Sequence, residues 1–449
     1  MKAYFLRRLL LIPPTLIGIT LLVFTVTRIV PGGAIDRMLQ SASQGSGGEG
    51  EKRSGSSSRS QGGLDEEQLE SLEERYQLDK PILVGYAQWL GLMPRETRIS
   101  KGEFGGQGEE TIGGEIDPKT TTAIVLKEDG RLVHAKQENG RIVSANFVEG
   151  GKSVESEGWK IRYETEKERQ DRYLRRNPGA KQPPAYNPRA VIYQTHFAGV
   201  LQGDLGISDI YNERVDRMIL ERMPVAAYFG LLSAFITYAV CLPLGVLKAL
   251  KHRTFIDGFS SVLIFIGYSI PGFALGALLL VHLGARANWF PLFGLTSANF
   301  DQMNTWDQFK DLAHHTALPL LCYVIGGFAM LTMLTKNNLM DQLASDYVRT
   351  AVAKGASFRK AVFGHAFRNS MIPIATSLGS LVEIFIGGSM LIETVFDIQG
   401  FGLLQYQSVL ARDIPVIMGT LTIAALLMLI GNVISDLLVA MVDPRIKFE

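Results

Sequence analysis

Few residues in this sequence have the types and spacing that catalysis or metal binding requires. Residues 150–153 read GGKS, like the end of a phosphate-binding loop, but Asn146 stands where that motif needs its first glycine. His314 and His315 are adjacent, so on a helix their side chains point about 100° apart, and no third ligand has suitable spacing. Neither a nucleophile elbow nor an HExxH motif occurs. We therefore predict a hairpin turn at GGKS, interfacial polar residues at His314 and His315, and no enzyme activity, bound metal or cofactor in this chain.

Glu383 is an acidic residue inside an apolar run. A carboxylate in hydrocarbon is costly and usually faces the protein interior or a water-filled cavity. Two interpretations stay open. Glu383 lines a translocation pathway or a subunit interface, or it is a neutral, hydrogen-bonded residue between helices. Both require that the surrounding segments span a membrane.

The composition of the 449 residues supports this requirement. Hydrophobic residues make up 47% and charged residues only 20%, which is atypical of a soluble globular protein. A helix needs about 20 apolar residues to cross roughly 30 Å of hydrocarbon. Stretches of this kind occur at residues 9–27, 223–247, 258–285, 316–335, 371–395 and 414–435. The predicted fold class is an all-α polytopic membrane protein with six transmembrane helices.

Basic residues set the predicted orientation. They are concentrated in the first eight residues, in the segments after the second and fourth stretches, and at the C-terminal end. The short loops on the other side carry only Arg286, Lys310 and Arg412. By the positive-inside rule, both termini are cytoplasmic and residues 31–222 are periplasmic, in a multi-pass protein of the inner membrane. The first stretch is too long for a typical signal peptide, so we read it as an uncleaved anchor.

The exported segment, residues 31–222, has three predicted parts. Residues 41–63 are rich in Ser and Gly and are predicted to be a disordered linker. Residues 64–91 are predicted to form short helices. Residues 92–196 contain β-branched or alternating runs with Asp129-Gly130 and Asn139-Gly140 between them, which predicts an insertion with a small β-meander of three or four strands. A short helix is predicted for EKERQDRYLRR, after the last of these runs.

The remaining residues, 223–449, form the predicted membrane core with a cytoplasmic loop at 336–370. This loop is too long for a simple connection and has helical composition, six basic residues and a glycine at position 355. It is either a solvated basic loop or a short helix presented to a cytoplasmic partner. The net charge of +1 has no long single-sign block, which argues against nucleic-acid binding. Cys241 and Cys322 lie in apolar runs, which excludes a disulfide scaffold.

The loop resembles the ATPase-contacting loop of ABC-importer permeases. The general pattern, E-A-A followed by three residues and Gly, corresponds here to RTAVAKG, and YVRTAVAKG and HAFRN are typical of the dipeptide/oligopeptide subgroup. RIVPGG, LQGDLG, LIETVFDIQGFGLL and the terminal DPRI also resemble that subgroup. FPLFGLTSANFD and GGFAMLTMLTKNN are most similar to the Yej-type permeases, which import peptides and the peptide-nucleotide microcin C. The insertion at 92–196 is not part of the common pattern.

The resemblance implies a transporter subunit that works by alternating access. The implied partners are a second homologous permease, two cytoplasmic ABC ATPase subunits or domains, a periplasmic substrate-binding protein and membrane lipid. ATP hydrolysis is expected in the ATPases, not in this chain. The implied coupling residues are Asp346, Tyr347, Val348, Arg349, Thr350, Ala351, Lys354 and Gly355. Of these, Tyr347, Val348, Thr350 and Ala351 are expected to contact the ATPase, Arg349 and Lys354 to pair with its acidic groups, and Gly355 to set the end of the helix.

Two alternatives of other classes remain. A membrane-anchored receptor with an extracytoplasmic sensing domain predicts a cytoplasmic signalling domain, but the cytoplasmic segments are short. A secondary transporter predicts more spans and internal repeats, and no clear repeat is visible. The insertion itself either docks a binding protein or walls the outer vestibule, or it is a tolerated surface insertion.

Overall fold

The computed structural model describes residues 2–29, 70, 73–74, 76–78, 80–105, 119–127, 129–176, 182–377 and 390–442. The chain divides into two compact units. The membrane unit comprises residues 1–30 and 205–449, and the exported unit comprises residues 31–204. In chain order the described helices are α1 Lys2–Ile29, α2 Ile82–Leu90, α3 Glu166–Arg176, α4 Val215–Leu250, α5 Phe255–Ser269, α6 Gly272–Leu279, α7 Thr305–Leu343, α8 Asp346–Ala353, α9 Phe358–Ala361, α10 Phe367–Ser370, α11 Ile372–Ser377, α12 Met390–Phe396, α13 Phe401–Ala411 and α14 Ile414–Val442.

Among the described residues of the membrane unit, four helices are long and apolar enough to cross a membrane: Leu6–Ile29, Val215–Leu250, Thr305–Leu343 and Ile414–Leu438. They contain the first, second, fourth and sixth predicted spans. Most of their backbone groups bond within each helix, which is what allows a helix to cross lipid. The α-helical multi-pass fold class with a small β-containing insertion is therefore confirmed.

The third predicted span is a bent pair of helices. Phe255–Ser269 and Gly272–Arg286 together pass the test for a span, but their axes differ by 87°. The cause is Pro271, which has no backbone N–H and disfavours helical geometry at the residue before it. Ile270 is accordingly extended, with φ −99° and ψ 118°. The predicted third span, 258–285, is therefore broken at this point.

The fifth predicted span, 371–395, is described only at its two ends, α11 and α12. Glu383 lies outside the described residues, as does the predicted linker at 41–63. Most of the predicted helical segment at 64–78 also lies outside them. The described part of 64–91 includes α2, which ends in a left-handed glycine, Gly91.

Close packing between α4 and α7 holds the membrane unit together. Gly245 on α4 faces Thr335 on α7 so tightly that a Cβ atom at position 245 would lie 2.5 Å from the Thr335 Cβ. Small residues allow such close approach, which is how helices associate in lipid. One apolar cluster, built on Phe229, Leu318 and Phe396, joins α4, α7 and α12. A second, built on Val246, Leu339 and Val348, joins the ends of α4 and α7 to α8.

The exported unit contains two three-stranded antiparallel sheets. The strands are β1 Arg95–Glu103, β2 Thr121–Val125, β3 Leu132–Glu138, β4 Arg141–Phe147, β5 Trp159–Glu164 and β6 Arg189–His196. The sheet orders are β2-β3-β4 and β1-β6-β5. Both sheets contribute to one apolar core around Ile124, Val133, Trp159 and Ile192.

Sequence patterns located four of these strands and α3. The turn between β3 and β4 uses Asn139 and Gly140 with φ of 50° and 74°, as expected for a type I′ hairpin. The single meander is only partly right, because β5 pairs with β6 in the other sheet. Strands β1 and β6 were not predicted. Their pairing joins Arg95 to His196 and Glu103 to Arg189, far apart in sequence.

The exported unit contains a buried ionic cluster. The Arg189 side chain is 1% exposed and pairs with Glu70 through both terminal nitrogens, at 2.8 and 3.2 Å, and with Glu164 at 2.6 Å. Burial alone raises the pKa of each carboxyl group, but the Arg189 guanidinium and neighbouring cations outweigh it and lower both pKa values to about 2. Both carboxylates are therefore charged at neutral pH and hold β5 and β6 to the segment that contains Glu70.

Candidate functional site

The candidate site is the short helix α8 in the predicted cytoplasmic loop. Helix α7 ends at Leu343, and α8 begins after Ser345, whose hydroxyl donates to the carbonyl of Gln342 at 2.6 Å. Asp346 lies in the first turn of α8, where a negative charge is favourable next to the helix N-terminus. A compact corner therefore joins the long membrane helix α7 to α8.

Gly355 ends α8 in a Schellman motif. Its φ is +91°, a backbone conformation that is energetically unfavourable for any residue with a Cβ atom. The N–H of Gly355 donates to Val352 at 2.9 Å, and the N–H of Ala356 donates to Ala351 at 3.1 Å. These two bonds satisfy carbonyl groups that the end of a helix leaves open. The predicted role of Gly355 as the residue that ends the helix thus has a physical basis.

One side chain anchors α8 to the rest of the membrane unit. Val348 is 4% exposed and belongs to the cluster that contains Leu339 of α7, Val246 of α4 and Ala361 of α9. The Val348 side chain therefore faces its own chain, and its expected contact with an outside partner stays a prediction. Burial against its own chain makes Val348 the residue that positions α8.

The opposite face of α8 is open. The Asp346 and Arg349 side chains are 100% and 74% exposed, and Tyr347, Thr350 and Lys354 are also exposed. The Tyr347 hydroxyl donates to the Gln342 side chain at 2.7 Å, which fixes its ring near the corner. Ala351 is half-buried. This arrangement suits docking of a protein partner, because an anchored helix presents a mixed polar and apolar surface.

The open surface continues beyond Gly355. Ser357 caps α9 by accepting from the N–H of Lys360. Phe358 and Phe363 are large exposed apolar residues, and Arg359 and Lys360 are exposed cations beside them. The prediction of a helix presented by a basic loop agrees with this geometry, and the interpretation as a uniformly solvated loop does not.

The other sequence candidates have structural roles. GGKS forms a turn, in which the N–H of Gly151 donates to Phe147 and Asn146 bridges to Ser153. His314 bonds the carbonyl of Trp289 at 2.7 Å through Nε2, and His315 bonds the carbonyl of Asp311 at 2.9 Å. Within the described parts of the chain, no group of three or more His, Cys, Asp or Glu residues could hold a metal ion.

Three charged residues near α8 were not identified as a group from the sequence. Lys248 and Lys336 were counted only as basic residues of cytoplasmic segments, but the structure buries both against Asp257. A signal was present. Lys248 directly follows the second predicted span, Asp257 directly precedes the third, and Lys336 directly follows the fourth. These positions place all three residues at the same predicted membrane face.

The comparisons with known proteins agree with this architecture. Residues 241–448 match the family described as binding-protein-dependent transport system inner membrane component. The inner membrane ABC transporter permease protein YejB of Escherichia coli O157:H7 is 32% identical over the full length of both chains. The peptidoglycan transport system permease protein YejB of Agrobacterium fabrum is 43% identical over 249 residues, 55% of this chain and 68% of the relative.

This chain belongs to the family of ABC-importer inner-membrane permeases. Within the family it is of the Yej type, as the full-length match to a YejB permease shows. A third relative, the oligopeptide transport system permease protein AppB of Bacillus subtilis, is 36% identical over 58% of this chain and 82% of its own. The resemblance inferred from the sequence motifs is confirmed. The permease is a transport subunit with several membrane-spanning helices.

Proposed function

We propose that this permease imports oligopeptides or peptide-like compounds such as microcin C from the periplasm to the cytoplasm. The full-length similarity to an ABC transporter permease carries the proposal. The names of other relatives, which refer to oligopeptide, dipeptide and peptidoglycan transport, support a substrate with a peptide backbone.

The proposed assembly contains this permease, a second homologous permease and two cytoplasmic ATPase subunits or domains. A periplasmic binding protein delivers the substrate. Both termini of the permease and α8 are cytoplasmic, and residues 31–222 are periplasmic. The excess of basic residues near α8 and near both termini supports this orientation.

In the proposed mechanism, α8 seats in a groove of an ATPase subunit. ATP binding brings the two ATPases together and moves both coupling helices, and the membrane helices convert that movement into opening toward the periplasm. Hydrolysis reverses the change. Alternating access requires two states of the bundle that the ATPases contact differently. The exposed face of α8 and its anchor at Val348 fit such a lever.

The test is a mild-detergent purification of the tagged permease, followed by mass spectrometry and an ATPase assay. We expect a second permease and an ATPase to copurify. We also expect a peptide-loaded binding protein to raise ATP hydrolysis. Unmodified peptides and peptidoglycan fragments, tested separately, distinguish the two substrate classes that the relatives' names suggest.

A permease that purifies without an ATPase in several detergents would contradict the proposal. That outcome would favour the receptor interpretation, in which the exported unit senses a ligand.

A further inference from the structure

A buried carboxylate joins three helices at the same end of the membrane unit as α8. Both carboxylate oxygens of Asp257, on α5, accept from the Lys336 ammonium of α7, at 2.7 and 2.8 Å. The Lys248 ammonium of α4 lies 3.1 Å from one of these oxygens. The other oxygen accepts from the N–H of Arg253 at 3.2 Å and lies 3.2 Å from His252 Nδ1.

Lys248 also holds the first turn of α5. Its ammonium donates to the carbonyl of Asp257 at 2.9 Å and to the hydroxyls of Ser260 and Ser261 at 2.9 and 2.7 Å. The Lys248 side chain is fully buried, and those of Asp257 and Lys336 are 8% and 11% exposed. Two buried cations thus share one carboxylate. Removing such charges from water costs free energy that their mutual attraction often does not recover. The presence of this cluster therefore points to a role other than general stability.

A continuous path of contacts runs from this cluster to α8. Leu339 follows Lys336 by three residues, so both lie on the same face of α7. Leu339 is fully buried and packs in the same cluster as Val348, the anchor of α8. A displacement of α8 therefore reaches α7 through Val348 and Leu339, and reaches α5 through the bond between Lys336 and Asp257.

Helix α5 is the element that such a displacement could move. It ends at the 87° break before α6, and the extended residue Ile270 interrupts the helical hydrogen bonds there. Helix α6 packs tightly on α7, where a Cβ atom at Gly272 would lie 2.7 Å from the carbonyl oxygen of Cys322. A pull on the first turn of α5 thus acts on a helix whose other end is a break in the chain direction, with Gly267 packed on Ile325 of α7.

We propose that Lys248, Asp257 and Lys336 are positioning residues that transmit the movement of α8 to the bent helix pair α5–α6. The inference rests on the proposed function, in which α8 follows the ATPases. It assigns to these residues the coupling of ATP hydrolysis to transport, rather than substrate binding.

The test measures peptide uptake and ATP hydrolysis together in proteoliposomes that contain the complete complex and a peptide-loaded binding protein. Lys336→Met removes the ionic link between α7 and α5 but leaves Lys248 and Asp257 as a neutral pair. Lys310→Met is the matched control, because Lys310 lies on the same helix in an exposed ion pair with Asp307.

We expect Lys336→Met to hydrolyse ATP while the number of peptides imported per ATP falls about fivefold or more, in the range of coupling factors typical of linked sites. Lys310→Met should keep the wild-type ratio. The double exchange of Asp257→Lys with Lys336→Asp keeps the same charges within the cluster and should restore part of the ratio. Size-exclusion elution of each complex reports folding separately.

A parallel fall of uptake and hydrolysis in Lys336→Met, with an unchanged ratio, would overturn the inference and leave the cluster a structural one. Wild-type complex in which peptide does not raise hydrolysis would overturn the proposed function, and this inference with it.

Discussion

Substitution of Gly355 tests whether the end of α8 must keep its left-handed backbone. The φ of +91° is the conformation in which a Cβ atom is penalised, at about 1–2 kcal/mol, or a factor of about 5 to 30 in an equilibrium. A Cβ atom at this position would meet no other atom within 4 Å. Backbone strain, rather than collision, should therefore decide the effect.

This reasoning predicts an order of severity that does not follow size. Gly355→Asn should be mildest, because Asn tolerates positive φ better than other residues with a Cβ. Gly355→Ala and Gly355→Leu should reduce peptide uptake by about fivefold or more, and Gly355→Val, which is β-branched, should reduce it most. Membrane insertion should be unchanged in all four variants, because the apolar helices are not altered.

The assay is uptake of a labelled peptide by cells or proteoliposomes, normalised to the amount of inserted permease. Gly364→Ala is the control, since Gly364 is in the same loop and has no positive φ. A Cβ atom at position 364 would lie 4.0 Å from the nearest side-chain atom. It should transport normally. If Asn at position 355 is more harmful than Ala, size controls the effect and the assignment of backbone strain is wrong. Normal uptake by Gly355→Leu would contradict the coupling role of α8.

Three further predictions concern the packing of each unit. Arg189→Met should lower the stability of the exported unit by about 3 kcal/mol, the low end of the roughly 3–5 kcal/mol for breaking a buried ion pair, because Arg98, Lys101 and Arg172 still face the carboxylates. The pKa values of Glu70 and Glu164 fall from 4.5 to about 2 on folding, so their stabilising effect is complete above about pH 4.5 and is lost as the pH falls to about 2. The loss of stability in Arg189→Met, measured by hydrogen exchange of β6 amides, should therefore shrink over this range. An equal loss at every pH would contradict the prediction. Gly276→Leu should reduce the yield of folded permease, because its Cβ would lie 2.9 Å from the Phe396 ring, whereas Gly258→Leu meets nothing within 4 Å and should not; equal yields would show that this packing is adaptable. Replacing residues 95–196 by a short Gly-Ser linker should reduce uptake but not insertion, and unchanged uptake would favour a tolerated insertion.

Local signals predicted much of the fold. Long apolar runs located the membrane helices, because a helix in lipid satisfies its own backbone whatever its neighbours are. Asn139-Gly140 located a hairpin for a similar reason, since a two-residue turn depends on those two residues. The motif around Gly355 located α8, and the positive φ there explains why a glycine occupies the position.

Features that depend on distant residues were missed. Strand β1 has five charged residues among nine, so its pattern does not indicate a strand. Its pairing with β6 is set by contacts between distant segments. The burial of Lys248 and Lys336 depends on Asp257 in another helix. Val348 was expected to contact an ATPase, and only the packing of α4, α7 and α9 shows that its side chain faces inward. The break at Pro271 had a local signal, since proline disfavours a helix at the residue before it.

The register of β1 and β6 explains how the exported unit accommodates so long an insertion. Arg95 pairs with His196, so the chain enters and leaves the two sheets at adjacent positions. Closing a long loop costs little more than closing a short one, because the entropic cost rises only with the logarithm of its length. The apolar core shared by both sheets and the ion pair between Arg189 and Glu164 then stabilise the insertion from within. The charged side chains of β1 join the insertion to the segment before it, since Arg98 and Lys101 pair with the same Glu70 that Arg189 holds.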